Sequence, residues 1–280
     1  MSFPFVIFTD CGPAGLEWAK MAGLTEKTVP EKEVTYGSLT MPDPLTTSSF
    51  LYSTVPFWPE GTVFLSAPTA YLKKPAADSH AVCVKLQNGS YILSPNDGAA
   101  TICARLIGVS EVRSVDFTMP WNNGLEDGFA LVRLGALLSE TLAFESIGPV
   151  LPADELFLFN IAPAKISEGV AEGQVFMLLK TFGNLTFTIG TDEFENTGIR
   201  HGDPVHVTFT KDGKTVWEAD TTFQPSFGYV PEGEPVIFNG SSGYLDIGLN
   251  KHSFIARCLP QIAEDDPLAY YVRIEKKEVQ

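Results

Sequence analysis

Four short segments carry residue types that can grip a polar ligand. Thr9-Asp10-Cys11-Gly12 follows the apolar run Phe5-Val6-Ile7-Phe8. A carboxylate at the carboxyl end of a buried strand can accept two hydrogen bonds from a vicinal diol such as a ribose. The same aspartate can equally cap a following helix. Ser94-Pro95-Asn96-Asp97-Gly98 has the same strand-to-helix character, with Asn96 and Asp97 able to reach a ligand or to build a capped turn. In Thr181-Phe182-Gly183-Asn184-Leu185, Phe182 can stack on a flat heterocycle and the Asn184 amide can pair with its edge. The other reading there is a Gly-Asn turn beside a core phenylalanine. Asn239-Gly240-Ser241-Ser242-Gly243-Tyr244 offers hydroxyls and peptide N–H groups to a carboxylate, or is a plain hairpin connection.

Other chemistry is missing. There is no G-x-x-x-x-G-K-[ST], no G-x-G-x-x-G, no H-E-x-x-H and no G-x-S-x-G. His201 and His206 fall on opposite faces of any strand, a poor start for a metal site. Cys11, Cys83, Cys103 and Cys258 form no C-x-x-C pair, so reduced thiols, no metal and no cofactor are expected. A formal net charge of −15 repels phosphate backbones and excludes nucleic acid as a partner. No run of about 18 apolar residues predicts a membrane span. The start, apolar but short and without basic residues, reads as a strand, so a cytoplasmic protein is expected.

These segments need elements to hold them. Of the 280 residues, 44% are hydrophobic and 19% charged, a globular balance. The first half predicts strands at 5–8, 61–65, 81–85, 90–93 and 112–117 and helices at 16–22, 98–107 and 128–141. Asn88-Gly89 predicts a tight hairpin. Residues 33–53, rich in Thr, Ser and Pro, carry no readable period. From about Leu156 the pattern changes to short strands at 174–179, 185–189, 205–209, 215–217, 236–238 and 244–249, split by Gly- and Pro-rich turns. The expectation is an α/β N-terminal domain, 1–152, followed by an all-β, barrel-like C-terminal domain, 153–280.

Taken in order, the segments resemble the S-adenosylmethionine hydroxide adenosyltransferase family, relatives of the fluorinase and chlorinase enzymes. Thr9-Asp10-Cys11-Gly12 is similar to the family's T-D-F-G. Phe57-Trp58-Pro59-Glu60-Gly61-Thr62-Val63 resembles F-[FP]-P-[EP]-G-T-V, and the segment from Tyr91 to Gly98 resembles Y-x-x-x-P-[DN]-N-G. Phe182-Gly183-Asn184-Leu185 resembles F-G-N-[LV]. Val230-Pro231-Glu232-Gly233 and the later Asn239 to Leu245 resemble V-P-x-G and N-S-S-G-Y-L.

The resemblance implies a homotrimer that binds a small adenosyl ligand where the first domain of one subunit meets the second domain of its neighbour. Asp10 would hold the ribose, Phe182 and Asn184 the adenine, and Ser241 and Ser242 the methionine end. S-adenosylmethionine would be substrate, not cofactor. The implied reaction is displacement of methionine from the ribose C5′ by water, giving adenosine and methionine. The chain departs from the family where the nucleophile is handled. The Asp of D-P-G falls at Thr69, the following Arg near Ser79 or His80, and the His of H-G-x-D near Asn123. The carboxylate that precedes F-G-N is Leu179. Thr69, His80, Asn123 and Asp127 are therefore the candidates for placing water. Two alternatives stay open: a non-catalytic adenosyl- or nucleoside-binding relative, and adenosyl transfer to a halide or another nucleophile.

Overall fold

A computed structural model describes residues 2–39, 43–72, 80–125 and 127–278. The chain forms two compact units, 1–159 and 160–280.

The first unit has strands β1 (Phe5–Thr9), β2 (Val34–Ser38), β3 (Val63–Ser66), β4 (Ala81–Leu86), β5 (Tyr91–Pro95) and β6 (Val109–Ser114). Its helices are α1 (Leu16–Thr28), α2 (Pro44–Thr54), α3 (Thr69–Leu72), α4 (Thr101–Leu106) and α5 (Asp127–Leu138). The sheet order is β2-β1-β3-β5-β4-β6. β1, β2, β3 and β5 run parallel, and β4 runs antiparallel to β5 and β6. All five residues of β1 are buried, as a continuous apolar run in a doubly covered parallel sheet should be. Phe5, Ile7, Leu65 and Leu93 pack with Met21 of α1 and Leu131 and Leu134 of α5. Val6, Phe8, Phe64 and Ile92 pack with Leu51 of α2 and Cys103 of α4. The Asn-Gly hairpin joins β4 to β5, with Gly89 at φ +83°.

Several boundaries move for local reasons. The strand expected at 112–117 runs 109–114, because Asp116 accepts the Thr118 N–H (2.9 Å) and hydroxyl (2.6 Å) and turns the chain. The helix expected from 98 starts at 101, after Gly98 at φ +97°. The unreadable stretch contains β2 and α2. Asp43 caps α2 through the Thr46 N–H (2.9 Å), with Pro44 in the first turn. Residues 153–159, grouped by sequence with the second domain, lie in the first unit. Phe159 N–H donates to the Thr101 hydroxyl (3.0 Å), and Arg105 Nη2 to the Phe159 carbonyl (2.8 Å).

The second unit has β7 (Lys165–Ser167), β8 (Val170–Leu179), β9 (Asn184–Gly190), β10 (Pro204–Lys211), β11 (Lys214–Gln224), β12 (Pro235–Asn239), β13 (Tyr244–Leu249) and β14 (Tyr270–Lys276). Short helices α6 (Thr191–Phe194) and α7 (Phe254–Cys258) interrupt them. Seven strands close a barrel in the order β14-β10-β11-β12-β13-β9-β8, with β8 pairing back to β14, and β7 flanks β8. Leu185, Phe187, Val207, Phe209, Ile247 and Tyr270 fill its interior. The fold class is the one expected: an α/β region, then a β-barrel. β14 was not expected, although Tyr270, Val272 and Ile274 alternate with exposed or half-buried residues.

Candidate functional site

The register of the first sheet sets where its candidates stand. Thr9 pairs with Ser38, Phe8 with Ser66, Ala81 with Pro95, and Val82 with both Ser94 and Ser114. The carboxyl ends of β1, β2, β3, β5 and β6 and the amino end of β4 therefore share one edge. Asp10 and Asn96 directly follow β1 and β5, His80 directly precedes β4, and Thr69 opens α3 three residues beyond β3. α5 ends near the other edge, where the Phe3 N–H donates to the Ser139 carbonyl (2.8 Å), so Asp127 at its start stands at the shared edge. Ligands of open α/β sheets bind at this carboxyl edge. The neighbouring family position at Ser79 lies outside the described residues.

Asp10 is half-buried and does not cap α1. The cap position belongs to Gly15, which has no side-chain hydrogen bond to offer. The capping alternative therefore falls. Asn96 has both ends of its amide occupied: Nδ2 donates to the Glu155 carbonyl (3.0 Å), and Oδ1 accepts the Phe157 N–H (2.8 Å). Asp97 accepts the Ala99 N–H (3.1 Å) at the turn into α4. Burial pushes its carboxyl above the usual range, against the lowering effect of that hydrogen bond. His80 is exposed, and its carbonyl accepts the Asn96 N–H (2.8 Å). Asn123 is exposed at φ 53°, a left-handed conformation that asparagine tolerates well. Its neighbour Asn122 builds the turn, donating to the Phe117 carbonyl (2.9 Å) and accepting the Leu125 N–H (3.1 Å).

In the second unit, Phe182 sits in the β8–β9 turn and is 71% exposed, so it is not a core ring. The turn is fixed beneath it. Gly183 N–H donates to the Leu179 carbonyl (2.7 Å), and Ile255 N–H to the Gly183 carbonyl (3.0 Å). Gly183 has φ +76°, and a Cβ there would meet Ser253, so glycine is required. Asn184 is buried at the start of β9 with its Oδ1 against Gly248, where a Cβ would come within 2.6 Å. Ser241, exposed, and Ser242, half-buried, occupy the β12–β13 turn, which Gly240 N–H closes on the Tyr244 carbonyl (2.8 Å).

Tyr244 pairs with Gly190 and Ile247 with Leu185, so the serine turn and the Phe182 turn stand at opposite ends of the β9–β13 pair. Six steps of strand separate Asn184 from Gly190, about 20 Å. The two turns can serve only the two ends of an elongated ligand.

One buried acid escaped notice in the sequence. Asp246, 4% exposed in β13, accepts the Thr186 hydroxyl at 2.6 Å. Burial pushes its carboxyl up to about 7. A Cβ on Gly240 would meet its Oδ1 at 2.7 Å, so the carboxylate lies under the serine turn. The available signal was an acid inside the otherwise apolar run of β13.

A cavity of about 540 Å³ lies at the opposite edge of the first sheet, near Phe5 and Thr35. The buried Lys32 there is committed to Ser2, the Phe3 carbonyl and Glu140. That cavity shares no residue with the carboxyl edge.

Known proteins share parts of this sequence and its fold. The family described as SAM hydroxide adenosyltransferase C-terminal domain matches residues 177–267. A fluorinase of Actinopolyspora mzabensis is 29% identical over 224 residues, 70% of this chain and 73% of the relative. A fluorinase from an Actinoplanes species is 29% identical over 222 residues, 69% and 72% of the two chains. Among solved structures, an uncharacterized conserved protein from Thermotoga maritima superposes with a TM-score of 0.73 at 22% identity, covering 96% of this chain and 99% of that one. A conserved hypothetical protein from Thermus thermophilus gives 0.70 at 22% identity, covering 97% and 99%. These two share the fold. Residues 177–267 match the C-terminal domain of the SAM hydroxide adenosyltransferase family, and with the motif order and the fluorinase relatives this similarity supports a divergent, fluorinase-like member of it.

Proposed function

We propose that the protein binds S-adenosylmethionine and cleaves it at the ribose C5′ with water, releasing adenosine and methionine. The observation that carries this reading is the gathering of Asp10, Thr69, His80 and the start of α5 at one carboxyl strand edge. Asp10 takes the ribose hydroxyls, Phe182 stacks on adenine, Asn184 pairs with its edge, and Ser241 and Ser242 lie toward the methionine end. We read the working form as a homotrimer.

In the reaction, a C5′–O bond forms as the C5′–S bond breaks. The electron pair leaves with sulfur, and the sulfonium becomes the neutral thioether of methionine. The protein's task is to aim the water and strip its shell, which calls for placement more than for a strong base. Thr69, His80 and Asn123 are the groups assigned to hold it. Asp127 or bulk solvent receives its proton.

A second reading has a specific support: the relatives at 29% identity are fluorinases. Transfer of the adenosyl group to a halide needs uncharged polar groups around the anion, as Thr69 and Asn123 are.

The purified protein, incubated with S-adenosylmethionine with and without halide salts, separates these by chromatography. Adenosine and methionine in equal amounts support hydrolysis. A halide-dependent adenosyl product supports the second reading. Calorimetric binding without turnover leaves a binding protein, and no binding of any adenosyl compound overturns all three. Asp10→Asn, which weakens two hydrogen bonds to the diol, lowers turnover about 100-fold if the assignment holds.

A further inference from the structure

We infer that the mouth of the barrel holds a site for a small oxyanion, a carboxylate or a phosphate, separate from the residues assigned to the adenosyl ligand. The inference stands on the barrel alone and does not depend on the adenosyl reading.

A cavity of about 240 Å³ opens where β9, α6, β11 and β12 meet, lined among others by Thr191, Arg200, His201, Phe223 and Asn239. Pockets for drug-sized molecules run from roughly 300 to 1,000 Å³, so this one suits a smaller guest. Three features set its chemistry. The Thr191 hydroxyl oxygen is buried and has no hydrogen-bond partner among the described residues, an arrangement folded proteins rarely leave unused. Arg200 is anchored through Nη1 alone, on the carbonyls of Glu195 (3.0 Å) and Ile199 (3.1 Å). The plane of the guanidinium is thereby fixed, while Nε and Nη2 make no hydrogen bond or ion pair among the described residues. Such a fork matches two oxygens of a carboxylate or phosphate. The His201 ring lies on Phe223 with centroids 4.5 Å apart, adding a second nitrogen-bearing side chain.

The neighbouring Asp203 leans mainly on Lys276, with the Arg200 charge helping to hold its carboxyl below the usual range. Asp203 accepts the Arg200 peptide N–H (2.9 Å) and pairs with Lys276 (2.7 Å). Glu195, an acid among the lining residues, is exposed, as are Arg200 and His201. Thr191 also donates its peptide N–H to the Gly243 carbonyl (2.9 Å), so a seated oxyanion would brace the turn carrying Ser241 and Ser242.

The full chain is titrated calorimetrically with inorganic phosphate and, separately, with acetate. Saturable binding of one probe, weakened about tenfold or more by Arg200→Gln, is the expected result, and the tighter probe names the source. Thr191→Val weakens binding severalfold and Thr191→Ser restores it. The threonine pair decides the matter if Arg200→Gln fails to fold by circular dichroism. Absence of saturable binding of both probes, or affinities unchanged in Arg200→Gln and Thr191→Val, overturns the site.

Discussion

The polar groups of the two units are employed differently. At the carboxyl edge of the α/β unit, the asparagines are mostly scaffold. Asn96 spends both ends of its amide on residues 155–157, and Asn122 spends both of its own on one turn. In the turns of the β unit, Phe182 and Ser241 point into solvent while the backbone beneath is tightly bonded. Position in a ligand-facing segment is thus no measure of availability. A side chain whose hydrogen bonds are already made builds the site, and one left exposed on a rigid turn is the better candidate to touch a ligand.

The contrast can be broken in three places. The largest effect belongs to Asp246, the committed acid of the β unit. Its folded carboxyl titrates near 7, above the unfolded value of about 4, so the folded state holds the proton more tightly. Its contribution is greatest below about pH 4 and is lost as pH rises toward 7. Asp246→Asn should match the wild type in urea unfolding near about pH 3 and exceed it by about 2 to 4 kcal/mol near about pH 8. Equal stabilities at both pH values would mean the carboxyl is not held as described. Next comes Asn96→Ala. Losing two hydrogen bonds to segment 155–157 should cost about 2 kcal/mol and speed amide exchange across 155–159. An unchanged exchange rate would free Asn96 for ligand duty and blur the contrast. The smallest is Phe182→Ala, which should weaken adenosine binding about tenfold yet leave the melting temperature within about 2 °C. A large fall in melting temperature would make Phe182 structural after all.

Much of the architecture was legible because periodicity reports burial. Phe5 to Phe8 announces a doubly covered strand, and the short runs after Leu156 announce a barrel. What escaped was set by side-chain bonding that pattern does not carry. α2 was hidden because its buried residues include Thr46, Thr47, Ser48 and Ser49, although Asp43-Pro44 was a usable start signal. β6 ended early because Asp116 bends the chain. At the site, residue types were readable but their obligations were not. Asp10 and Asp97 look alike in sequence, yet the first lies five residues before the cap of its helix and the second is bonded into its turn. Thr186 and Asp246 lie 60 residues apart, and only strand pairing brings them together.

The ring of the barrel is fastened by β14, whose residues 271–275 zip to 170–174 on one side while its whole length lies along β10 on the other. Removing that last strand would leave two raw edges of unpaired peptide groups, a template for sticking to any passing strand. Fusions or truncations near residue 276 therefore threaten solubility before they touch chemistry, and a handle for purification belongs beyond a spacer.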